Sequence, residues 1–257
     1  MQLMRSYGRS NDQVRPLKIN VNAFGNGDSS VLLELGNTKV LCTVSLANSV
    51  PHFLKNKKQW WLTASYALLP NATQTRTERD ACRRSDRSVE ISRLIGRCLR
   101  SVVTLEHKQS EKTIYVDCDV LQADGGTRTA CITAASIALF LAQERWLERK
   151  DISAPIIREP IAGVSLGIMH DSILVDIDYA EDAYVDADFN FVLSRSNKII
   201  EIQGCAERGI VDWVHMTQMQ HAAQDAIRAL FSAIEQSIPL ENAPTLYQTK
   251  DMLEFCH

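Results

Sequence analysis

Ala123-Asp124-Gly125-Gly126-Thr127-Arg128-Thr129-Ala130 stands between two segments of different period. Before it, Thr113 to Gln122 alternates apolar and polar residues, the pattern of a strand. After it, Cys131 to Leu147 carries apolar residues at helical spacing. The segment therefore reads as strand, Gly-Gly turn, helix. Such a turn points unpaired backbone N–H groups and the positive end of a helix at one spot. Glycines let the backbone come close to a ligand there. Arg128 adds a planar fork of donors that suits phosphate. The expectation is an oxyanion, phosphate by chemistry, held at the start of the helix. An ordinary Gly-Gly turn beside an exposed arginine uses the same residues, so the turn alone does not choose.

A second constellation bears on that choice. Ser172 to Tyr179 alternates strictly, with Ile173, Val175, Ile177 and Tyr179 on one face and Asp176 and Asp178 on the other. Asp182, Asp186 and Asp188 follow within seven residues. A strand over Asp186 to Leu193 would put Asp186 and Asp188 on one face. Clustered carboxylates are costly unless a cation or a proton offsets them. Mg²⁺ suits such oxygen ligands and bridges to substrate phosphates. An acidic surface loop is the other reading. Anion donors and a carboxylate cluster in one chain together suggest phosphoryl chemistry.

Composition narrows the class. The 257 residues suffice for one large domain, and 45% hydrophobic with 23% charged residues is ordinary for a globular chain. The start, Met-Gln-Leu-Met-Arg-Ser, lacks the apolar core of a signal peptide, and no apolar run is long enough to span a membrane. Seven cysteines occur singly, with no CxxC pair. Cys118 and Cys131 sit in patterned apolar segments, so buried free thiols are expected rather than disulfides or zinc ligands. The cytoplasm is the simplest compartment for such a chain. A net charge of -3 argues against a broadly basic nucleic-acid binder. Between Arg76 and Arg100, however, eight arginines face four carboxylates, and a local basic patch can hold a polyanion.

Along the chain, strands are expected over 17–46 with turns at Gly25-Asn-Gly27 and Gly36-Asn37, and over 60–68. An Arg-rich loop spans 70–88. A helix over 89–105 follows, with Asp86 or Ser88 as its N-cap. Strand 113–122, the turn and helix 129–147 come next. Strands are expected at about 161–169, 172–179, 187–194 and 198–204, and a helix at about 212–237 is ended by Pro239. The coarse order suits a mixed α/β domain over 1–238, followed by a flexible tail over 239–257.

Several segments, in order, resemble the ribonuclease PH family. They include Gly8-Arg-Ser-Asn-Asp-Gln-Val-Arg-Pro16, Gly36 to Thr43, Val50 to Lys55, Glu90 to Ile95, and Asp117 through Ala130. Glu181-Asp182 with Asp188-Phe-Asn190, and Ile200-Glu-Ile-Gln-Gly204, complete the set. The likeness runs from about Ser6 to about Ile238. It implies one α/β domain with two βαβα-like halves, in subunits that assemble as a hexameric ring, a trimer of dimers. It implies a phosphorolytic 3′→5′ exoribonuclease: inorganic phosphate attacks the last phosphodiester of an RNA and releases a nucleoside diphosphate. The reverse reaction makes it a nucleotidyltransferase. The substrate implied is the 3′ trailer of precursor tRNA, with a place in tRNA and rRNA processing.

Carried over by motif, the phosphate site is Arg87, Gly126, Thr127 and Arg128. Asp182 and Asp188 would hold Mg²⁺ and flank the scissile phosphate, with Glu181 and Asp186 behind them. Arg76, Arg79, Arg93 and Arg97 are candidate RNA contacts, the last two also candidates for a subunit interface. Some residues depart from the family pattern. Asp86 stands where Gly is usual and would repel phosphate or cap the helix. Asn71 and Ser65 replace a frequent Arg and Glu. Arg208 replaces a Gly and would be strained if φ is positive there. Tyr184 and Val185 are bulky beside the acidic cluster. The alternatives are a non-catalytic RNA-binding ring subunit and a metal-dependent hydrolytic nuclease. A nucleotide kinase is disfavoured because no GxxxxGK[ST] loop occurs.

Overall fold

The chain is described here by a computed structural model covering residues 5–79, 85–106, 111–238 and 246. The first half supplies β1 (Leu17–Val21), β2 (Ser29–Leu35), β3 (Thr38–Ala47), β4 (Trp61–Leu68), α1 (Asp86–Val102), β5 (Thr113–Gln122) and α2 (Thr127–Glu148). Its sheet has the order β1-β2-β3-β5-β4, with β4 and β5 parallel and the other pairs antiparallel. A parallel pair needs a crossover, and α1 provides it. The second half supplies β6 (Ile161–Met169), β7 (Ser172–Val175), the short α3 (Tyr179–Asp182), β8 (Ala187–Ser194), β9 (Ile199–Ala206) and α4 (Trp213–Ser237). Its sheet is antiparallel, in the order β7-β6-β8-β9.

Helix α2 joins the halves. Sixteen of its residues are buried, on all sides of the helix. A helix apolar all round needs partners all round, and α2 packs on β2 and β3 of the first sheet and β6 of the second. Its hydroxyls also satisfy the second half: Ser136 Oγ accepts from Ile161 N and Thr133 Oγ1 from Gly163 N, each at 3.0 Å. Gly163 leaves room for the approach, since a Cβ there would lie 3.0 Å from Thr129 Cβ. One continuous core, including Phe140, Trp146, Leu166 and Phe191, therefore serves both sheets. Helix α4 adds the expected stripe of Met219, Ala223, Ile227, Leu230 and Ile234, all buried.

Three of the boundaries that differ from the sequence reading have a clear local reason. Helix α1 begins at Asp86, three residues early, because Ser85 is its N-cap and accepts from Ser88 N; neither Asp86 nor Ser88 plays that part. It ends at Val102 because Val103 forms a bridge with Ile157. Strand β7 stops at Val175, since Asp176 turns to φ +55 and its carboxylate is taken by Arg15. Arg208 carries no positive φ; Gly209 does, and Arg208 Nη2 donates to Ala183 O at 2.6 Å.

The free-thiol expectation holds for Cys42, Cys98, Cys118, Cys131 and Cys205. Burial pushes the Cys42 thiol well up. Cys82, Cys256, Arg83, Arg84 and Pro239 lie outside the described residues, as does the tail apart from Leu246. That residue is buried, and its carbonyl accepts from Arg195 Nη1 at 3.2 Å. No described helix is long and apolar enough to cross a membrane.

Candidate active site

The Gly-Gly turn is built as the sequence suggests, and its surroundings explain how it is held. Gly125 and Gly126 take φ +74 and +63, conformations glycine adopts without strain. A Cβ on Gly125 would lie 2.6 Å from Ile177 O and 2.8 Å from Asp178 Cα. The turn thus rests directly on the backbone that leads into α3. Thr38 Oγ1 donates to Gly125 O at 2.6 Å, and Arg15 donates to the carbonyls of Asp124 and Gly125.

Arg15, 1% exposed, is itself fixed by Asp176 through Nε at 2.9 Å and Nη2 at 2.7 Å. Nearby, Arg5 Nε and Arg9 Nη2 reach Glu181 at 2.7 and 2.8 Å. Asp178 accepts from Glu181 N at 2.9 Å, and Glu181 accepts from Asp178 N at 3.0 Å, a capping box for α3. Three of the acidic residues between 176 and 188 are therefore consumed in a buried lattice with three arginines. Removing one partner of such a pair costs about 3–5 kcal/mol, because the other is left buried and unpaired. The arginines sit in the quoted segment at or near Gly8 to Pro16, where the sequence reading assigned no role.

The lattice leaves over Asp182, Asp186 and Asp188, and the Asp186 carboxylate accepts from His170 N at 3.3 Å. Asp182 closes α3, and Asp188 sits on β8 opposite Gly167 of β6. Partial loss of water, the Asp188 charge and Glu207 all raise the Asp182 carboxyl above the usual range, against the pull of Arg128 and Arg87. The two carboxylates and both arginines thus share one electrostatic neighbourhood. Arg128 Nη2 lies 3.9 Å from Asp188 Oδ2, and Arg128 Nη1 is 3.5 Å from Gln203 Oε1. Gln203 in turn donates to Glu90 of α1 at 3.0 Å, linking the starts of the two long helices.

Helix α2 begins without a side-chain cap, and Ala130 N donates to Gly126 O at 3.0 Å to close its first turn. The N–H groups of Thr127, Arg128 and Thr129 have no carbonyl within the helix to pair with. The Thr127 hydroxyl is paired with Tyr66 Oη at 2.9 Å. Burial raises the Tyr66 phenol, so it stays protonated. Sequence reading missed Tyr66 and Gln203; each lies in an otherwise regular strand, where nothing in the alternation marks it.

The remaining candidates separate. Asp186 lies just before β8; its carbonyl accepts from Glu207 N and Arg208 N, and its carboxylate from His170 N at 3.3 Å. Glu181 is buried in the arginine lattice. Arg97 forms a two-pronged pair with Glu201 at 2.9 and 2.7 Å. Arg76, Arg79 and Arg93 are exposed. Asp86 is exposed in the first turn of α1, where a carboxylate favours the helix dipole. Ser65 donates to Asp117 at 2.6 Å. Tyr184 is exposed and Val185 buried, filling the space that Gly167 leaves. The carboxylate pair fits a divalent cation: two oxygens from different elements whose mutual repulsion a cation would relieve.

Residues 13–143 match the model of the 3′ exoribonuclease family, domain 1, and residues 159–228 match domain 2 of that family. A protein named Ribonuclease PH from Exiguobacterium sibiricum is 42% identical over 237 residues, covering 91% of this chain and 94% of the relative. Among solved structures, rice (Oryza sativa) Rrp46 superposes with a TM-score of 0.73 at 16% identity, over 91% of this chain and 100% of that one. The Archaeoglobus fulgidus exosome with RNA bound to the active site gives 0.74 at 21% identity, over 90% and 92%. These two likenesses concern the fold.

Proposed function

The chain belongs to the ribonuclease PH family, phosphate-dependent 3′→5′ exoribonucleases, and from that premise we propose how its residues carry the reaction. The observation that supports the assignment most directly is the meeting of an uncapped helix start with a surplus carboxylate pair, Arg128 standing between them.

Inorganic phosphate sits at the start of α2, on the N–H groups of Gly126 and Thr127. Arg128 and Arg87 offset its charge and brace the in-line transition state. A phosphate oxygen forms a bond to the phosphorus of the terminal nucleotide. The bond from that phosphorus to the preceding 3′ oxygen breaks, and the oxygen leaves with the electron pair and takes a proton. The products are a nucleoside diphosphate and an RNA one residue shorter. The proton comes from Asp188 at the leaving oxygen. Asp182 and Asp188 would hold Mg²⁺, which supplies charge neutralisation at the scissile phosphate. Tyr66 holds the Thr127 hydroxyl and so orients the first residue of α2.

RNA enters along Arg76, Arg79 and Arg93, while Arg97 belongs to the α1–β9 contact through Glu201. The substrate is the 3′ end of precursor tRNA, and the working form is a cytoplasmic homo-hexamer, a trimer of dimers. The test is incubation with RNA carrying a short 3′ extension and Mg²⁺, with and without phosphate. Nucleoside diphosphates appearing only with phosphate are the expected result. Monophosphates in both buffers would make the protein a hydrolase, and bound but intact RNA would make it a non-catalytic subunit.

A further inference from the structure

Beneath the start of α2, three sulfur atoms converge in the buried interior. Cys42 of β3 and Cys118 of β5 are directly paired across the two strands, with their Sγ atoms 3.2 Å apart. Cys131 enters from α2, and the three Sγ atoms all lie within 4.8 Å of one another. Their exposures are 0%, 1% and 0%. Among the described residues, no histidine or carboxylate completes the group.

We propose that Cys42, Cys118 and Cys131 form a binding site for one soft, monovalent, closed-shell metal ion of the Cu⁺ class. Sulfur ligands select such ions over the hard cations that oxygen sites take. Structural zinc is held by four ligands in a tetrahedron, and this group offers three. The dry surroundings decide the charge, because a buried net charge is strongly disfavoured. Cu⁺ replacing a single thiol proton leaves the cluster neutral. One S–H bond breaks, one proton goes to solvent, three Cu–S contacts form, and no electron changes hands. A divalent ion would need two thiolates for the same balance. Occupancy would tie together β3, β5 and α2, three elements that converge below the Gly-Gly turn. The site stands independently of the phosphorolytic reading.

The test uses full-length protein with Cys82→Ser, Cys205→Ser and Cys256→Ser, which removes the other exposed or undescribed thiols but keeps Cys98. This protein is titrated with Cu⁺ under anaerobic, reducing conditions and then desalted. One retained Cu⁺ per chain is expected, with all-sulfur coordination by X-ray absorption and a raised Tm. Adding Cys131→Ala should abolish both retention and the Tm increase. Should that variant fold poorly by circular dichroism, Cys42→Ala from the opposite strand serves the same purpose. Adding Cys98→Ser should change neither readout. Absence of retained Cu⁺ from the starting protein, or retention undiminished in folded Cys131→Ala or Cys42→Ala, would overturn the proposal.

Discussion

Helices α1 and α2 begin in opposite ways. Both carry an arginine at their second position, Arg87 and Arg128. At α1, the Ser85 side chain accepts from Ser88 N and satisfies one of the free donors. At α2, Gly126 has no side chain to offer, and the donors stay open. A closed start is a matter of stability, whereas an open start beside Arg128 and Asp188 is available for a ligand. The residue at the cap, rather than the arginine that follows, separates the two roles.

The largest effect should come from the open start. Arg128→Ala should lower phosphorolysis on the order of 10³-fold at fixed phosphate and leave RNA affinity near the parent value. Phosphate titrations alongside RNA-binding isotherms check this, and equal loss of both would erase the distinction between the helices. Next is the support beneath the turn. Asp176→Asn should cost about 3 kcal/mol of stability, read by denaturant unfolding, because Arg15 loses its charged partner while holding the Asp124 and Gly125 carbonyls.

Gly126→Asn then crowds the open start of α2, since Asn tolerates the left-handed conformation and its Cβ would lie 3.1 Å from Arg15 Nη2. The KM for phosphate should rise on the order of tenfold, about 1.4 kcal/mol, while kcat changes less. An unchanged KM would show that the open donors do not hold phosphate. At α1, Ser85→Ala should cost about 1 kcal/mol of stability and leave the KM for phosphate near its parent value.

The smallest effect concerns Asp182. Its folded-state carboxyl is raised, first by lost hydration and then by Asp188 and Glu207. The protonated form is thus the one the fold prefers. Its contribution is full below the ordinary carboxylate range and is lost as pH rises through the raised value. Asp182→Asn should therefore raise Tm at neutral pH and make no difference in acid. Mg²⁺ should raise the parent Tm at neutral pH and affect the variant less. A variant less stable than its parent at neutral pH would remove the strain attributed to the pair.

Much of this was readable in advance, because local rules governed it. The change from period-two alternation to helical spacing around Gly125-Gly126 located β5, the turn and α2 to within two residues. Asp182, Asp186 and Asp188 stood out together as clustered carboxylates, and only the family resemblance singled out Asp182 and Asp188. Pairings between distant segments were not readable. Nothing local says that Asp176 and Glu181 belong to Arg15, Arg5 and Arg9, whose partners lie more than 160 positions away in sequence. The same lack of a local signal hid Tyr66, whose partner Thr127 is 61 residues distant. The start of α1 was missed because three polar residues, Ser85, Asp86 and Ser88, could each cap it, and only the geometry selects Ser85.

Helix α2 lies between the two sheets and contributes to the core of both. The two family modules meet in that core, although sequence comparison separates them near Gln143 and Glu159. Their boundary in the chain is not a boundary in folding. Severing the connector after Lys150 would strip the second sheet of the helix that fills it, and would leave α2 with apolar surface open to water. Neither fragment should melt cooperatively alone, and the intact chain should lose both sheets in one transition.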